Sequence, residues 1–179
     1  MNILLIIIGI IAGIIALLLI AALFVKKEYI VSRHVVINKA LPDVFSFIAQ
    51  LKNQDLYNKW VMEDPAVRKT FTGTDGTPGF IYAWDSDNKR VGKGEQEIKT
   101  IANGQHVDTE VRFIKPFEGK ADARFVTTAV SGDQTQLQWQ LKGAMKYPFN
   151  LMMVLMNTET VLGKDIDTSL NNVKTVLEK

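Results

Sequence analysis

From Ile3 to Val25 the sequence contains only Ile, Leu, Ala, Gly, Phe and Val. A helix needs about 20 such residues to cross a hydrocarbon core about 30 Å thick, so this run reads as one transmembrane helix. A cleaved signal peptide would carry a basic n-region, a shorter apolar core and a small-residue cleavage site. Here Met1-Asn2 offers no basic side chain, and Ala21-Ala22-Leu23 is followed by further apolar residues. Residues 1–25 are therefore expected to stay as an uncleaved anchor. Lys26 and Lys27 follow at once, which by the positive-inside rule keeps the rest of the chain in the cytoplasm. Gly9 and Gly13 form a small-xxx-small pair that lets two spans pack as a weak homodimer. Chance also produces that spacing in Gly- and Ala-containing spans, so both readings stay open.

All 21 Lys and Arg and all 19 Asp and Glu lie from Lys26 onward, and they leave a net charge of +2. So small a balance offers no basic excess for nucleic acid. The absence of cysteine excludes disulfides, thiolate nucleophiles and Cys-ligated metals. The two histidines, His34 and His106, stand in no His-x-x-x-His or Glu-x-x-His arrangement, so neither metal nor cofactor is expected.

Residues 26–28 read as a juxtamembrane linker and residues 29–179 as one domain. Tyr29 to Ile37 alternates and is rich in Val and Ile, the mark of a strand. Leu41-Pro42-Asp43 then opens a helix with Pro and an acid in its first turn. Val44, Phe45, Phe47, Ile48 and Leu51 follow at helical spacing. A second short helical stretch is predicted from Gln54 to Trp60, before Asp64-Pro65.

From Val67 to Leu141 six strands are predicted, separated by breaks such as Asn103-Gly104 and Ser131-Gly132-Asp133. Lys93, Glu95, Glu97 and Lys99 share one face, and Gly92, Gly94, Gln96 and Ile98 the other. Gln134, Gln136, Gln138 and Gln140 likewise oppose Thr135, Leu137, Trp139 and Leu141. That alternation describes an antiparallel sheet covered on a single side. The cover is a helix of about 30 residues from Pro148 to Lys179, roughly 45 Å long. Its stripe runs through Met152, Leu155, Met156, Leu162, Ile166, Leu170, Val173 and Leu177.

The order is strand, two helices, six strands, long helix. Together with Tyr29–Ile37 and Pro42-Asp43-Val44-Phe45, with Tyr57-Asn58-Lys59-Trp60, and with Gly79…Tyr82-Ala83-Trp84…Gly92-Lys93-Gly94, it resembles the SRPBCC superfamily of START, Bet v 1 and polyketide cyclase proteins. Phe113-Ile114-Lys115-Pro116-Phe117, Tyr147–Met153 and Gly163-Lys164-Asp165 extend the likeness over nearly all of residues 28–179. It is similar in particular to the bacterial polyketide cyclase/dehydrase-like branch. The resemblance implies an α+β helix-grip fold, in which a curved antiparallel seven-stranded sheet wraps around a long C-terminal helix. It also implies a deep apolar cavity for a lipid or another hydrophobic small molecule, and for an anchored member a place in the bacterial inner membrane.

The residues point the same way. Gly92, Gly94, Gly119, Ala121 and Ala123 fall on covered faces, where small side chains leave room or permit bending. Phe80, Tyr82, Trp84, Phe113, Phe125 and Trp139 would wall the cavity, with Trp60 and Trp84 shaping its mouth. Met152, Met153 and Met156 supply adaptable thioethers, and Gln96 and Tyr82 are the polar groups placed inside. Ordinary core filling is the competing account for any one of them. Glu95, Glu97, Asp108 and Glu110 alternate with Lys93, Lys99 and Arg112, so they read as cross-strand pairs on the wet face rather than a catalytic acid–base pair.

The pattern favours a membrane-anchored binding module without catalysis. An enzyme like the polyketide cyclases, with Tyr82, Gln96 or His34 steering protons, stays open, as does a sensory or interaction module. With only Lys26 and Lys27 as a link, the apolar Phe149–Met156 segment is expected to face the bilayer and gate access to the cavity.

Overall fold

The computed structural model describes residues 3–179. Helix α1, Ile3–Phe24, has 22 residues and so a length of about 33 Å, enough to cross a bilayer. Its side chains are exposed except near its end, where Ala22 is buried. Strand β1, Glu28–Ile37, starts three residues beyond, and α2, Leu41–Ala49, buries Val44, Phe45 and Ile48. A 3-10 turn, Leu51–Asn53, leads into α3, Gln54–Tyr57, and α4, Lys59–Met62. The single helical stretch expected over Gln54–Trp60 is thus two turns. Asn58 between them is extended, and its side chain caps α4 by accepting from the Trp60 N–H.

Six further strands follow: β2 Arg68–Thr72, β3 Ile81–Asp85, β4 Lys93–Ala102, β5 His106–Lys115, β6 Gly119–Ser131 and β7 Gln134–Ala144. They form one antiparallel seven-stranded sheet in the order β1-β7-β6-β5-β4-β3-β2. Burial alternates along β4 to β7 as the sequence pattern requires. Gly119 is the exception among the small residues, since it lies exposed at the start of β6. On the outer face Arg112 pairs with Glu95 and Glu97, at 2.7 Å each, and with Glu110. Arg124 pairs there with Asp108.

The C-terminal helix is not continuous from Pro148. A single turn, α5 Leu151–Leu155, is followed by Asn157 in the left-handed region (φ 45°), and the long helix α6 runs over Thr158–Leu177. Asn visits that region more readily than most side chains, so the chain turns there although the apolar spacing continues. α6 buries Ile166, Leu170 and Val173 on the inner face of the sheet. It lies close to β1 because residue 163 is Gly; a Cβ there would stand 2.2 Å from Nη2 of Arg33. The sheet gripped around α6 is the α+β helix-grip fold.

Helix α1 is fastened to this body. Asn150 is buried, and its Nδ2 donates to the carbonyls of Ala22 (2.7 Å) and Val25 (2.9 Å). Those are orphan acceptors at a helix C-terminus, the groups that most need a partner. Tyr147 adds a bond from its hydroxyl to the Leu19 carbonyl at 3.3 Å.

Candidate ligand cavity

Between the inner face of the sheet, the α3–α4 turns and α6 lies a cavity of about 280 Å³, near the lower end of the range for small-molecule sites. Its wall is built from alternate strand positions. Tyr82 and Trp84 come from β3, Gln96 from β4, Val111 and Phe113 from β5, Ala123 from β6, and Trp139 and Leu141 from β7. Trp60 and Val61 close it from α4, and Leu162 from α6. Tyr82 and Trp139 are buried, whereas Trp60, Trp84 and Phe113 form a half-open rim with Arg90 and Val91. All three tryptophans of the chain touch this space. Gly94 lets Trp84 lie flat across β4, where a Cβ would meet its ring at 2.5 Å and the Arg112 carbonyl at 2.6 Å.

One polar cluster interrupts the apolar wall. Asn58 Nδ2 donates to Gln54 Oε1 (2.6 Å), and Gln54 Nε2 to Gln96 Oε1 (2.8 Å). Gln96 Nε2 then donates to the Thr109 hydroxyl (2.8 Å), which reaches the Ala123 carbonyl at 3.3 Å. The chain satisfies buried amides that would otherwise cost about 1–3 kcal/mol each. It still leaves each amide one N–H to offer a ligand. Gln54, Asn58 and Gln96 all line the cavity.

The titratable groups on the wall are Tyr29, Tyr82 and Arg90. The Tyr82 hydroxyl donates to Asp55 at 2.6 Å. Burial, then the hydrogen bond and negative charge of Asp55, push its ionisation well above the ordinary phenol value. Burial alone raises Tyr29. Both phenols are therefore neutral donors at physiological pH. His34 is exposed on the outer side, and His106 stands 3.5 Å from Asp108.

Of the residues expected to form the wall, Tyr82, Trp84, Gln96, Phe113 and Trp139 do so, joined by Trp60, expected at the mouth, and Ala123, expected to leave room. Phe80 and Phe125 share the inner face but fill the core, Phe80 stacked on Phe71 and Phe125 packed 4.7 Å from Trp139. Met152 and Met156 sit exposed on and after α5, outside the cavity. Met153 borders a separate groove of about 400 Å³ at the foot of α1, with Val25, Tyr29, Val154 and Thr158. Breaking of the C-terminal helix at Asn157 is what carries these methionines away from the wall. Gln54 and Asn58 were not among the expected site residues; their i,i+4 spacing, which sets two side chains on one helical face, was the available signal.

No family model matches the sequence, and no curated protein matches it. Solved structures do match, and they show the fold. A protein from Thermobifida fusca aligns over 83% of this chain and 92% of its own, at 12% identity and a TM-score of 0.60. Norcoclaurine synthase from Thalictrum flavum aligns over 85% and 95% respectively, at 13% identity and a TM-score of 0.59. The di-domain ARO/CYC protein BexL aligns over 85% of this chain and 50% of its own, at 13% identity and a TM-score of 0.60. The chain thus has the SRPBCC, or Bet v 1-like, fold, preceded by an apolar helix long enough to span a membrane.

Proposed function

We propose that this chain is a membrane-anchored binding module for a small hydrophobic molecule carrying one carbonyl or hydroxyl oxygen. The observation that carries the reading is the cavity itself, aromatic or aliphatic on most of its wall and furnished with three convergent amides. Aromatic and aliphatic side chains favour an apolar body, and the spare amide N–H groups fix one polar atom of it. A volume of about 280 Å³ suits a single ring system or one stretch of acyl chain better than a whole two-chain lipid. Neutral phenols and amides bind and orient; no lining group is poised as a base at neutral pH. The ligand-bearing body is held at the cytoplasmic face of the bacterial inner membrane by Lys26 and Lys27, with α5 resting on the bilayer beside the anchor.

Ala123→Leu provides the test, because Ala123 lines the cavity and joins the amide cluster only through its main-chain carbonyl, which the substitution keeps. Native mass spectrometry of the full chain released from nanodiscs should show an apolar adduct on the parent and none on the variant. An adduct of equal abundance on both would refute the reading. A cyclase-like enzyme is the second reading, motivated by the amide cluster and by the likeness to BexL and norcoclaurine synthase. It requires that an added ligand be recovered chemically altered, whereas the binding module returns it unchanged.

A further inference from the structure

Antiparallel pairing decides which loops share an end of the sheet. Glu28, the first residue of β1, pairs with Ala144 at the end of β7, and Gly143 pairs with Ala121 near the start of β6. Gly119 pairs with Phe113 at the end of β5, Lys115 with Lys93 at the start of β4, and Lys93 with Asp85 at the end of β3. The β3–β4 loop, the β5–β6 loop, the β7–α5 connection and the foot of α1 therefore lie at one end. Val25, Lys26 and Lys27 join α1 to β1, at most about 10 Å of chain. That end of the sheet accordingly faces the bilayer that α1 enters.

Two apolar features project there, on either side of the cavity rim. Beside the anchor stand Phe149, Val154 and Leu155, each about two-thirds exposed. Across the rim stand Phe117 in the β5–β6 loop, 78% exposed, and Ile114 at the end of β5, 43% exposed. Phe113, at the base of the same loop, lines the cavity. Lys26, Lys27, Lys89, Lys115 and Lys146 also lie at this end, and none has a carboxylate partner among the described residues.

We infer that the β5–β6 loop is a second membrane contact, with Ile114 and Phe117 sunk into the headgroup–acyl boundary of an anionic bilayer and the cavity rim turned towards the lipid. The inference rests on the reading of α1 as a membrane span and names the source of the ligand, which enters from the bilayer. Apolar tips ringed by unpaired lysines match the chemistry of such a surface. A loop this small would not hold a membrane alone. The anchor raises its local concentration at the surface, and the grip of Asn150 on Ala22 and Val25 fixes which side of the body turns down.

The chain has no cysteine, so single labels are unambiguous. A fluorophore at Glu118→Cys in the loop should be quenched by nitroxide-labelled lipids severalfold more than one at Gly132→Cys in the β6–β7 turn. The full chain would be held in nanodiscs of phosphatidylcholine with phosphatidylglycerol. Adding Ile114→Ser and Phe117→Ser should reduce the first signal to the second, and pure phosphatidylcholine should weaken it. Equal quenching at the two positions, or quenching indifferent to the serine pair, would overturn the inference. So would a label shielded from an aqueous quencher but untouched by nitroxide lipids, which would put a second copy of the chain on this loop. The mass-spectrometric adduct reports binding separately: its loss with quenching intact fails the binding reading alone.

Discussion

The two faces of the sheet use the same alternation to opposite ends. On the outer face long charged side chains cross-pair, Arg112 with Glu95, Glu97 and Glu110, and Arg124 with Asp108. The Arg112 and Arg124 guanidinium groups hold the Glu97, Glu110 and Asp108 carboxyls below their ordinary values. Every one of these charges has a partner, and none adjoins the cavity. The inner face carries the reverse inventory, with aromatic rings, one Ala and neutral amides around a space no side chain fills. Ion pairs on the wet side make a scaffold, whereas amides and rings on the dry side enclose an open cavity. The carboxylates that sequence draws attention to, Glu95, Glu97, Asp108 and Glu110, are therefore absent from the cavity wall.

The largest expected difference between the faces comes from Trp139, which is buried and contacts Tyr57, Trp60 and Phe125. Trp139→Ala should cost about 3–5 kcal/mol, read as a drop in the denaturant midpoint; a loss as small as that of an outer-face substitution would erase the contrast. Gln96→Leu comes next. It strips Gln54 Nε2 of its acceptor and Thr109 of its donor, and should cost about 1–3 kcal/mol while abolishing ligand orientation. Arg112→Met on the outer face should cost about 1 kcal/mol or less, as exposed ion pairs do.

Acidity separates the faces further. Because the Glu97, Glu110 and Asp108 values are lowered on folding, their contribution is complete above the ordinary 4.5 and 3.8 and is lost as pH falls through the folded values. Thermal melts between neutral pH and about pH 3 should therefore show a stability loss that Arg112→Met shallows. Ligand binding should stay level across the neutral range, since burial keeps the Tyr29 and Tyr82 phenols on the wall neutral there. A bell-shaped binding curve centred near neutrality would mean that a titrating group reaches the cavity after all.

The faces were legible in the sequence because a strand repeats every two residues, so Gln134 to Leu141 and Lys93 to Ile98 state their own orientation. The seven-stranded sheet followed from the resemblance to helix-grip proteins, and the covering helix from an apolar stripe at the 3.6-residue period. Whether an inner residue walls a cavity or fills the core was not, since that depends on neighbours distant in sequence. Phe80 meets Phe71 and is lost to the core, whereas Phe113 meets the rim. The α3 turn hid Gln54 and Asn58 by inverting the usual polarity, for Leu56 is half exposed while both amides are buried. Asn157 broke the long helix where apolar spacing alone predicts continuity, because a backbone turn leaves no mark on hydrophobic periodicity.

Because Trp60, Trp84 and Trp139 all touch the cavity, the protein carries its own reporter. Tryptophan fluorescence of the full chain in nanodiscs should be quenched saturably by a brominated single-ring aromatic probe, and Ala123→Leu should abolish the saturable component. Quenching that rises linearly with probe concentration, and identically in the parent and in Ala123→Leu, would show that the probe dissolves only in the membrane and that the inner face holds no ligand.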